Sequence, residues 1–289
     1  MFAMKISFSR KIISILPALG AVFCLTIGTA TAQDQGDPLD WVYGPATCRL
    51  GKVAQIEIPE GYQFVGGDGT RILMEWMENP TNGRELGFVM PEVEEEGGVD
   101  WFVVFEYDPI GYVSDDEKDE LDADALIEGM IEGTEEANKT RRQNGWEEFH
   151  VRGWRIPPYY DMETNNLKWA IIGYGDSGET VNFSTRLLGR GGAMSADLVI
   201  DPESLDGSLP DYDSLMSGFS FSTGNRYAEF REGDKIAKYG LTALIAGGAG
   251  AAAMKTGLLA RFWKFIVMGF LALMGFFRKL FGRLFGRSE

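Results

Sequence analysis

The 289-residue chain has a single histidine, His150, and only two cysteines, Cys24 and Cys48. Zinc centres built from His and Cys, and Ser-His-Asp or Cys-His catalytic groups, draw on more of these residues than the chain supplies. A catalytic site in this chain would therefore have to be built from Asp, Glu, Ser or Tyr side chains. We predict no cofactor, and an enzyme is the less favoured class of function.

Basic residues are scarce in one part of the chain and concentrated in another. Residues 33–235 contain 16 basic and 42 acidic residues, a net charge of −26, whereas the residues after Lys235 contain 8 basic and 1 acidic, a net charge of +7. Phosphate repels so acidic a domain, so we predict no nucleic-acid partner. The basic end is instead suited to an anionic lipid surface.

The N-terminal 32 residues have the layout of a secretory signal peptide. Three basic residues precede an apolar run, Ile12–Gly28, and the sequence Ala-Thr-Ala ends at Ala32. We predict cleavage between Ala32 and Gln33. A short N-terminal membrane anchor is the alternative.

Cleavage removes Cys24 and leaves Cys48 alone, so the exported chain forms no internal disulfide. A lone cysteine is most often a small buried apolar side chain. We predict that role for Cys48, with pairing between two chains as the alternative.

Residues 33–235 are predicted to form one extracytoplasmic α+β domain, with a mostly antiparallel sheet and two main helices. Val53–Ile58 alternates polar and apolar residues as a half-buried strand does, and helical spacing marks 68–79 and 122–144. Asp68 or Thr70 is the expected N-cap of the first helix, and Asp122 of the second. Later segments predict a four-stranded meander, a short helix and a last strand, at 147–156, 167–175, 179–189, 193–200, 212–217 and 218–222.

The segment Tyr239–Ala260 is predicted to be a C-terminal transmembrane helix. Its 22 residues contain one charge, Lys255, and at ~1.5 Å per residue they make about 33 Å of helix, enough for a hydrocarbon core of ~30 Å. The stretch is rich in Ala and Gly and only moderately hydrophobic, so a buried helix of the exported domain is the alternative.

Residues 261–289 form a basic aromatic tail that admits two topologies. Phe265–Phe277 is an uncharged run of 13 residues, with basic residues on both sides. The tail lies along the inner leaflet if the chain crosses once, or it returns through Leu258–Phe277 as the second arm of a hairpin. A hairpin would export four basic residues against the positive-inside rule, so the single crossing is favoured.

Several stretches together resemble a known family. The bacterial family of uncharacterised membrane-anchored proteins (domain of unknown function 2167) is similar to the chain from about Asp40 to Gly250, and Arg226–Gly240 is the most specific part. The resemblance implies an envelope protein with an exported domain and a C-terminal anchor, and it transfers no catalytic or ligand residues. The stretches are "GYVSDDEKDELDADALIEGMIEGTEEANKTRRQNGW", "FHVRGWRIPPYYD", "LKWAIIGYG", "VNFSTRLLGRGG" and "GNRYAEFREGDKIAKYGLTALIAGG".

Three short motifs resemble catalytic or phosphate sites. The sequence Gly175-Asp176-Ser177-Gly178 is similar to a serine-protease loop, but it is also good turn chemistry between strands. Cys48 with His150 would be the minimum thiol nucleophile and base. The glycines at 66, 67 and 69 lie between a strand and a helix without the Lys-Ser/Thr of a phosphate loop. We interpret all three as structural.

The acidic run Ser114–Asp124 is the best cation candidate, with seven acidic residues in eleven. An EF-hand loop needs glycine at position six and glutamate at position twelve. Loops that start at Asp115 or at Asp119 lack both residues. We interpret the run as a solvated segment that leads into a helix, with weak Ca²⁺ binding as the alternative. The metal candidates are Asp115, Asp116, Asp119, Asp122 and Asp124.

Aromatic and proline residues are frequent around Trp41–Tyr43 and Trp154–Tyr160. Such loops often mark binding faces, although packing under loops is the simpler interpretation.

We predict a membrane-anchored envelope protein of the bacterial inner membrane, its domain on the periplasmic side, acting as a binding, sensing or scaffold module. The alternative is an envelope hydrolase that uses carboxylate or hydroxyl groups. The expected partners are the lipid bilayer and an envelope protein. Gly247 and Gly248 each have a small residue four positions later, which favours self-association in the membrane.

Overall fold

The computed structural model describes residues 39–92, 101–238 and 240–246. The signal peptide with its Ala32–Gln33 cleavage site, both ends of the predicted membrane helix (Tyr239 and Ala260), the glycines Gly247 and Gly248, and the tail 261–289 lie outside these residues. Within the described ranges, no helix combines the length and apolarity that a membrane crossing needs.

An eight-stranded sheet forms the centre of the domain, and each neighbouring pair of its strands is antiparallel. The strand order is β1-β4-β5-β6-β10-β9-β8-β7. The predicted meander is confirmed as β7 to β10, with consecutive strands paired. The strands are β1 Val42–Tyr43, β4 Tyr62–Gly66, β5 Glu85–Pro91, β6 Trp101–Asp108, β7 His150–Asp161, β8 Asn166–Gly175, β9 Gly178–Leu188 and β10 Ala193–Ile200.

A small second sheet covers one face of the large sheet. It has the order β11-β3-β2, with β2 Ala46–Leu50, β3 Ala54–Ile58 and β11 Phe219–Phe221. The alternation predicted for β3 is confirmed, since Ala54, Ile56 and Ile58 are buried and the residues between them are exposed. Helix α3, Leu205–Ser217, closes the same core through Leu205, Tyr212 and Leu215.

The opposite face of the large sheet, here called the helix face, carries the predicted main helices α1, Gly67–Trp76, and α2, Ala123–Gln143. Helix α1 packs on β4 and β5, and α2 packs on β7. A 3₁₀ turn, Tyr227–Glu229, and a short helix α4, Leu241–Ala246, follow the second sheet along the chain. The described residues thus form an α+β domain with a large antiparallel sheet and few helices.

The N-cap of helix α2 is confirmed at Asp122, whose carboxylate accepts a hydrogen bond from the Ala125 N–H at 3.1 Å. The predicted cap of α1 was wrong. Gly66, the last residue of β4, caps α1 without a side-chain bond. The strand runs straight into the helix, so Asp68 already belongs to the first turn.

Two elements extend beyond their predicted bounds. In both, the extension contains proline, which is disfavoured inside strands and helices and therefore argued against the longer element. Strand β7 continues through Pro157 and Pro158, which is tolerated because β7 is an edge strand and its register with β8 is irregular there. Helix α3 begins at Leu205, seven residues before the predicted start, and contains Pro210. Gly207 and Pro210 have low helix propensity, so propensity does not predict the first turns of this helix.

Candidate functional site

Helix α4 holds the first described residues of the segment predicted to cross the membrane, and these residues lie in the core of the domain. Leu241 and Ile245 have no exposed surface, and Leu244 is 8% exposed. They share an apolar cluster with Leu126 and Met130 of helix α2. The beginning of the predicted membrane segment is therefore packed against protein.

The chain reaches α4 along residues 234–238, here called the strap, which hydrogen bonds fix to the domain. The Tyr112 N–H donates to the Lys235 carbonyl at 2.8 Å, and the Ala237 N–H donates to the Tyr112 carbonyl at 2.8 Å. The Lys235 ammonium donates to the Pro109 carbonyl at 2.9 Å. These bonds fix the direction in which the chain enters α4.

An ion pair holds the same strap from the other side. The Arg190 guanidinium donates to both carboxylate oxygens of Asp234, each at 2.7 Å. These hydrogen bonds, with one from the Arg231 N–H, lower the pKa of Asp234 to about 2. The pair therefore stays charged over the whole range of physiological pH.

A stack of aromatic rings lies beside the strap. The Tyr112 ring stacks on Tyr227 with centroids 4.6 Å apart and lies 4.2 Å from Phe230. The Tyr227 hydroxyl donates to the Val113 carbonyl at 3.1 Å. Burial, followed by the neighbouring Tyr112, raises the pKa of Tyr227, so its phenol keeps this proton.

Exposed apolar side chains occur in this stack, in the strap and in the β7–β8 hairpin. Met162 is 70% exposed and Ile236 is 62% exposed, with Tyr159 and Phe230 less so. The strap joins Ile236 to Tyr112 by a parallel bridge. We call Tyr112, Tyr159, Met162, Phe230 and Ile236 the junction face, because the chain enters α4 next to it. Such a face offers apolar contact area beside the point where the chain enters α4.

A shallow depression of about 250 Å³ continues the junction face toward the β7–β8 hairpin. The Tyr160 hydroxyl donates to Asp115 at 3.1 Å within this region, and burial, with Asp115 next, raises the pKa of Tyr160. The depression has both apolar and charged walls and is open to solvent. It is lined by Lys118, Asp119, Leu121, Pro158, Tyr159, Tyr160 and Met162.

The side chains of the acidic run Ser114–Asp124 make separate structural contacts near this depression. Asp115 accepts from Tyr160, Asp116 accepts from the Ser114 hydroxyl at 2.6 Å, and Asp122 caps helix α2. Asp119 borders the depression, and Asp124 lies in the first turn of α2. In residues 39–92, 101–238 and 240–246, no three His, Cys, Asp or Glu side chains are arranged to hold a metal ion.

The candidate nucleophiles are engaged in structural contacts. Cys48 is free and buried in the core between the two sheets, and burial raises the pKa of its thiol. The His150 Nδ1 lies 2.7 Å from the Glu135 carboxylate. The Ser177 hydroxyl donates to Glu147 at 2.7 Å, in the two-residue turn that joins β8 to β9. The structural interpretation of the serine loop and of Cys48 agrees with these contacts.

Two of the three glycines at the junction of β4 and α1, Gly67 and Gly69, serve close packing, whereas a Cβ at Gly66 would meet nothing within 4 Å. A Cβ at Gly67 would lie 2.4 Å from the Glu85 carbonyl oxygen. A Cβ at Gly69 would lie 2.1 Å from a methyl group of Val65 and 2.9 Å from the Leu39 carbonyl oxygen. Neither position tolerates a side chain, which explains the glycines without a phosphate.

The sequence indicated the junction face only in part. Tyr159 belongs to the aromatic segment singled out above, whereas Trp154 donates to the Ala123 carbonyl at 3.0 Å and Trp41 packs on Phe88. The sequence did not predict the contact between Tyr112 and Phe230. These residues lie more than a hundred positions apart in the chain and meet only in the folded domain.

The solution structure of the cyanobacterial PsbP protein CyanoP, from Synechocystis sp. PCC 6803, is similar to the chain. The two share 12% sequence identity, with a TM-score of 0.38, and the match covers 67% of this chain and 99% of that chain. The search of curated proteins gave no match.

A model of a protein family is also similar to the chain, and it matches residues 42–278. The matched range includes the whole sheet, the strap, the junction face and α4. Because it extends over most of the 289 residues, the resemblance stated from the sequence is confirmed. The chain belongs to the family described as protein of unknown function (DUF2167).

Proposed function

We propose that the protein is a binding or scaffold module of the bacterial cell envelope, held on the periplasmic side of the inner membrane by its C-terminal apolar region. The signal-peptide layout of residues 1–32 supports export. The separation of a −26 domain from a +7 C-terminal region supports the orientation, with the basic end inside.

The observation that carries the proposal is the exposed apolar area of the junction face, where Met162 is 70% and Ile236 is 62% exposed. Leu241 and Ile245 of α4 are fully buried in the domain core, and the strap before them is hydrogen-bonded to Tyr112. The strap that carries Ile236 is therefore held in a fixed position on the domain.

The junction face lies beside the segment that leads into α4, and we propose that it is turned toward the bilayer surface. Tyr and other aromatic side chains with one apolar and one polar end are favoured at the membrane interface. Met162 and Ile236 add exposed apolar area. The face therefore contacts lipid headgroups or an envelope protein held at the same depth.

Two measurements on the full chain in its own membranes test the proposal. The protein should stay in the pellet after alkaline carbonate extraction, because a helix anchors it. A photoreactive phenylalanine analogue at Ile236 should form adducts with phospholipid or with one envelope protein. The analogue at Trp76, 48% exposed on helix α1, is the matched control and should form neither. Recovery of the protein in the osmotic-shock fluid would overturn the proposal.

A further inference from the structure

Two glutamates lie directly opposite each other on neighbouring strands of the large sheet. Glu85, the first residue of β5, is paired with Glu106 near the end of β6. Residues directly opposite in an antiparallel pair lie on the same face of the sheet, with Cβ atoms about 4.5–5.5 Å apart. Like charges at such positions destabilise a sheet. Two ionised carboxylates are therefore an unfavourable arrangement at this pair.

Burial leaves the Glu85 carboxyl group almost no contact with water. Its side chain is 1% exposed, and its Oε1 accepts a hydrogen bond from the Asn82 N–H at 2.7 Å. In the part of the chain that the structure describes, the Glu85 Oε2 has no hydrogen-bond donor. A buried acceptor without a donor costs free energy, because folding removes its bonds to water. The pair thus lacks one hydrogen, at the Glu85 Oε2.

The nearest guanidinium group does not supply this hydrogen. Arg71 Nη1 lies 3.8 Å from the Glu85 Oε2, which is longer than a hydrogen bond. The same nitrogen lies 3.4 Å from the Glu85 carbonyl oxygen, and Arg71 Nη2 donates to Asp68. Arg71 therefore offsets part of the charge of Glu85 without donating to its Oε2.

The surroundings of Glu106 favour its neutral form. Its Oε2 accepts from the Asn82 side-chain amide at 3.0 Å. Burial is the main cause that raises the pKa of Glu106; the Asn82 bond lowers it, and the charges of Asp197 and Glu85 raise it. Arg186 lowers this pKa least among the causes, since its Nη1 donates to Asp197 at 2.9 Å. The net direction is a raised pKa.

One further ion pair lies at this end of the sheet. Arg84, which precedes β5, has its Nη1 3.1 Å from the Asp108 carboxylate, two residues along β6 from Glu106. Because each partner neutralises the other, this pair leaves the net charge near the two glutamates unchanged. The charged groups around the glutamates are thus Asp197 and Arg186 from β10 and β9, Arg71 and Asp68 from α1, and Arg84 with Asp108.

We propose that Glu85 and Glu106 share one proton, held as the carboxylic acid of Glu106, whose Oε1–H donates to the unpaired Oε2 of Glu85. The proton supplies the missing hydrogen and removes the repulsion between two opposed charges. Two carboxyl groups that share a site hold one proton in this way. The proposal is independent of the envelope assignment, because every group it uses lies in the described domain.

The shared proton also makes a pH-sensitive clasp. Asn82 donates to both carboxyl groups, through its backbone N–H to Glu85 and through its side chain to Glu106. The pair therefore holds residues 77–84, the segment between α1 and β5, against the sheet. Loss of the proton leaves two opposed carboxylates beneath this segment, so the clasp is firm in acid and weakened in alkali.

The direction of the pH dependence follows from the raised pKa of Glu106. The folded protein holds this proton more tightly than the unfolded chain does. The stabilisation is fully present below the ordinary pKa of a glutamate, about 4.3, and is lost as the pH rises through the pKa of Glu106 in the folded domain.

Infrared difference spectroscopy on the full chain in detergent tests the shared proton. At pH 6 an ordinary glutamate is almost fully ionised. The spectrum of the protein minus that of Glu106→Gln should therefore show one band of a protonated carboxyl group at pH 6, which disappears by pH 9. Glu75→Gln, at an exposed position on α1, is the matched control and should give no such band. Absence of the band from the Glu106→Gln difference at pH 6 overturns the proposal.

Thermal unfolding gives an independent measurement on the same variants. Glu106→Gln keeps a donor for the Glu85 Oε2 and has no proton to lose. Its unfolding midpoint should match that of the unchanged protein at pH 5 and exceed it by about 3 °C at pH 9, whereas Glu75→Gln should follow the unchanged protein at both. An equal shift at pH 5 and pH 9 would contradict the shared proton. A midpoint at pH 6 that rises with added Ca²⁺, except in Glu106→Gln, would put a metal ion in its place and equally overturn it.

Discussion

The thiol of Cys48 lies on β2 in the core between the two sheets, where burial raises its pKa, followed by the charge of Glu57. Only the thiolate reacts with alkylating reagents. We therefore expect iodoacetamide at pH 8 to leave Cys48 unmodified in the native protein and to modify it fully in urea, as measured by mass spectrometry. Rapid native labelling would show that the thiol is accessible and would reopen its role as a nucleophile.

Arg186 and Asp197 form a largely buried ion pair, with Arg186 Nη1 2.9 Å from the Asp197 carboxylate, and removal of one partner leaves the other charge unpaired. Arg186→Met should lower the free energy of unfolding by about 3–5 kcal/mol, measured by urea denaturation. Arg152, 55% exposed and paired with Glu179, is the control, and Arg152→Met should cost about 1 kcal/mol or less. Arg186→Met with Asp197→Leu should cost less than the single Arg186→Met. If the double variant lost as much free energy of unfolding as Arg186→Met and Asp197→Leu lose together, the two side chains would not be coupled.

For single residues, sequence pattern predicted the roles that depend on neighbours close in the chain. The burial of Ile56 and Ile58 followed from alternation, and the capping role of Asp122 followed from its place before a helical segment. Arg186 was not identified, because its partner Asp197 lies on the next strand and a strand pattern does not name partners. The contact of Arg186 with the Trp169 ring on β8 is for the same reason a property of the folded sheet.

Among the elements, the pairing of β7 with β8 depends on a glycine that leaves room for a ring. A Cβ at Gly173 on β8 would lie 2.0 Å from the ring of Phe149, which is buried beneath α2. Gly173→Ala should therefore lower the free energy of unfolding by about 1–3 kcal/mol. The control is Gly153→Ala on β7, where a Cβ meets nothing within 4 Å. Equal stability of the two variants in urea denaturation would contradict the packing described here.

We expect helix α2 to depend on its N-cap rather than on a bound cation. Asp122→Ala should lower the free energy of unfolding by about 1 kcal/mol, because the Ala125 N–H loses its acceptor. Asp119→Ala, in the same acidic run, should have a smaller effect. Neither result should change between excess Ca²⁺ and a chelator. A rise in the unfolding midpoint with Ca²⁺, lost in Asp119→Ala, would instead support the calcium alternative.

The elements of the sheet followed largely from periodicity and turn residues, so the antiparallel meander and helix α2 could be predicted. The extension of β7 through Pro157 and Pro158 could not, because its tolerance depends on β7 being an edge strand. The junction face likewise needs the strap, the β7–β8 hairpin and Tyr112 together. Each is local in sequence, and only the fold brings them to one side.

For the whole molecule, the critical segment is the one that begins at α4. Hydropathy alone does not separate an apolar helix that packs in a domain from one that packs in lipid, since both environments exclude charge. The sequence left both interpretations open for Tyr239–Ala260. The burial of Leu241 and Ile245 favours the domain for the first part of this segment.

The central claim is that a folded acidic domain outside the cell membrane is joined to an anchor with a basic end inside. Protease added to intact spheroplasts tests it most directly, with one epitope after Glu289 and detection of the domain by antibody. We predict that the domain is digested and that the epitope survives on a short membrane-bound fragment until detergent is added. Protection of the domain, or loss of the epitope before detergent, would contradict this topology.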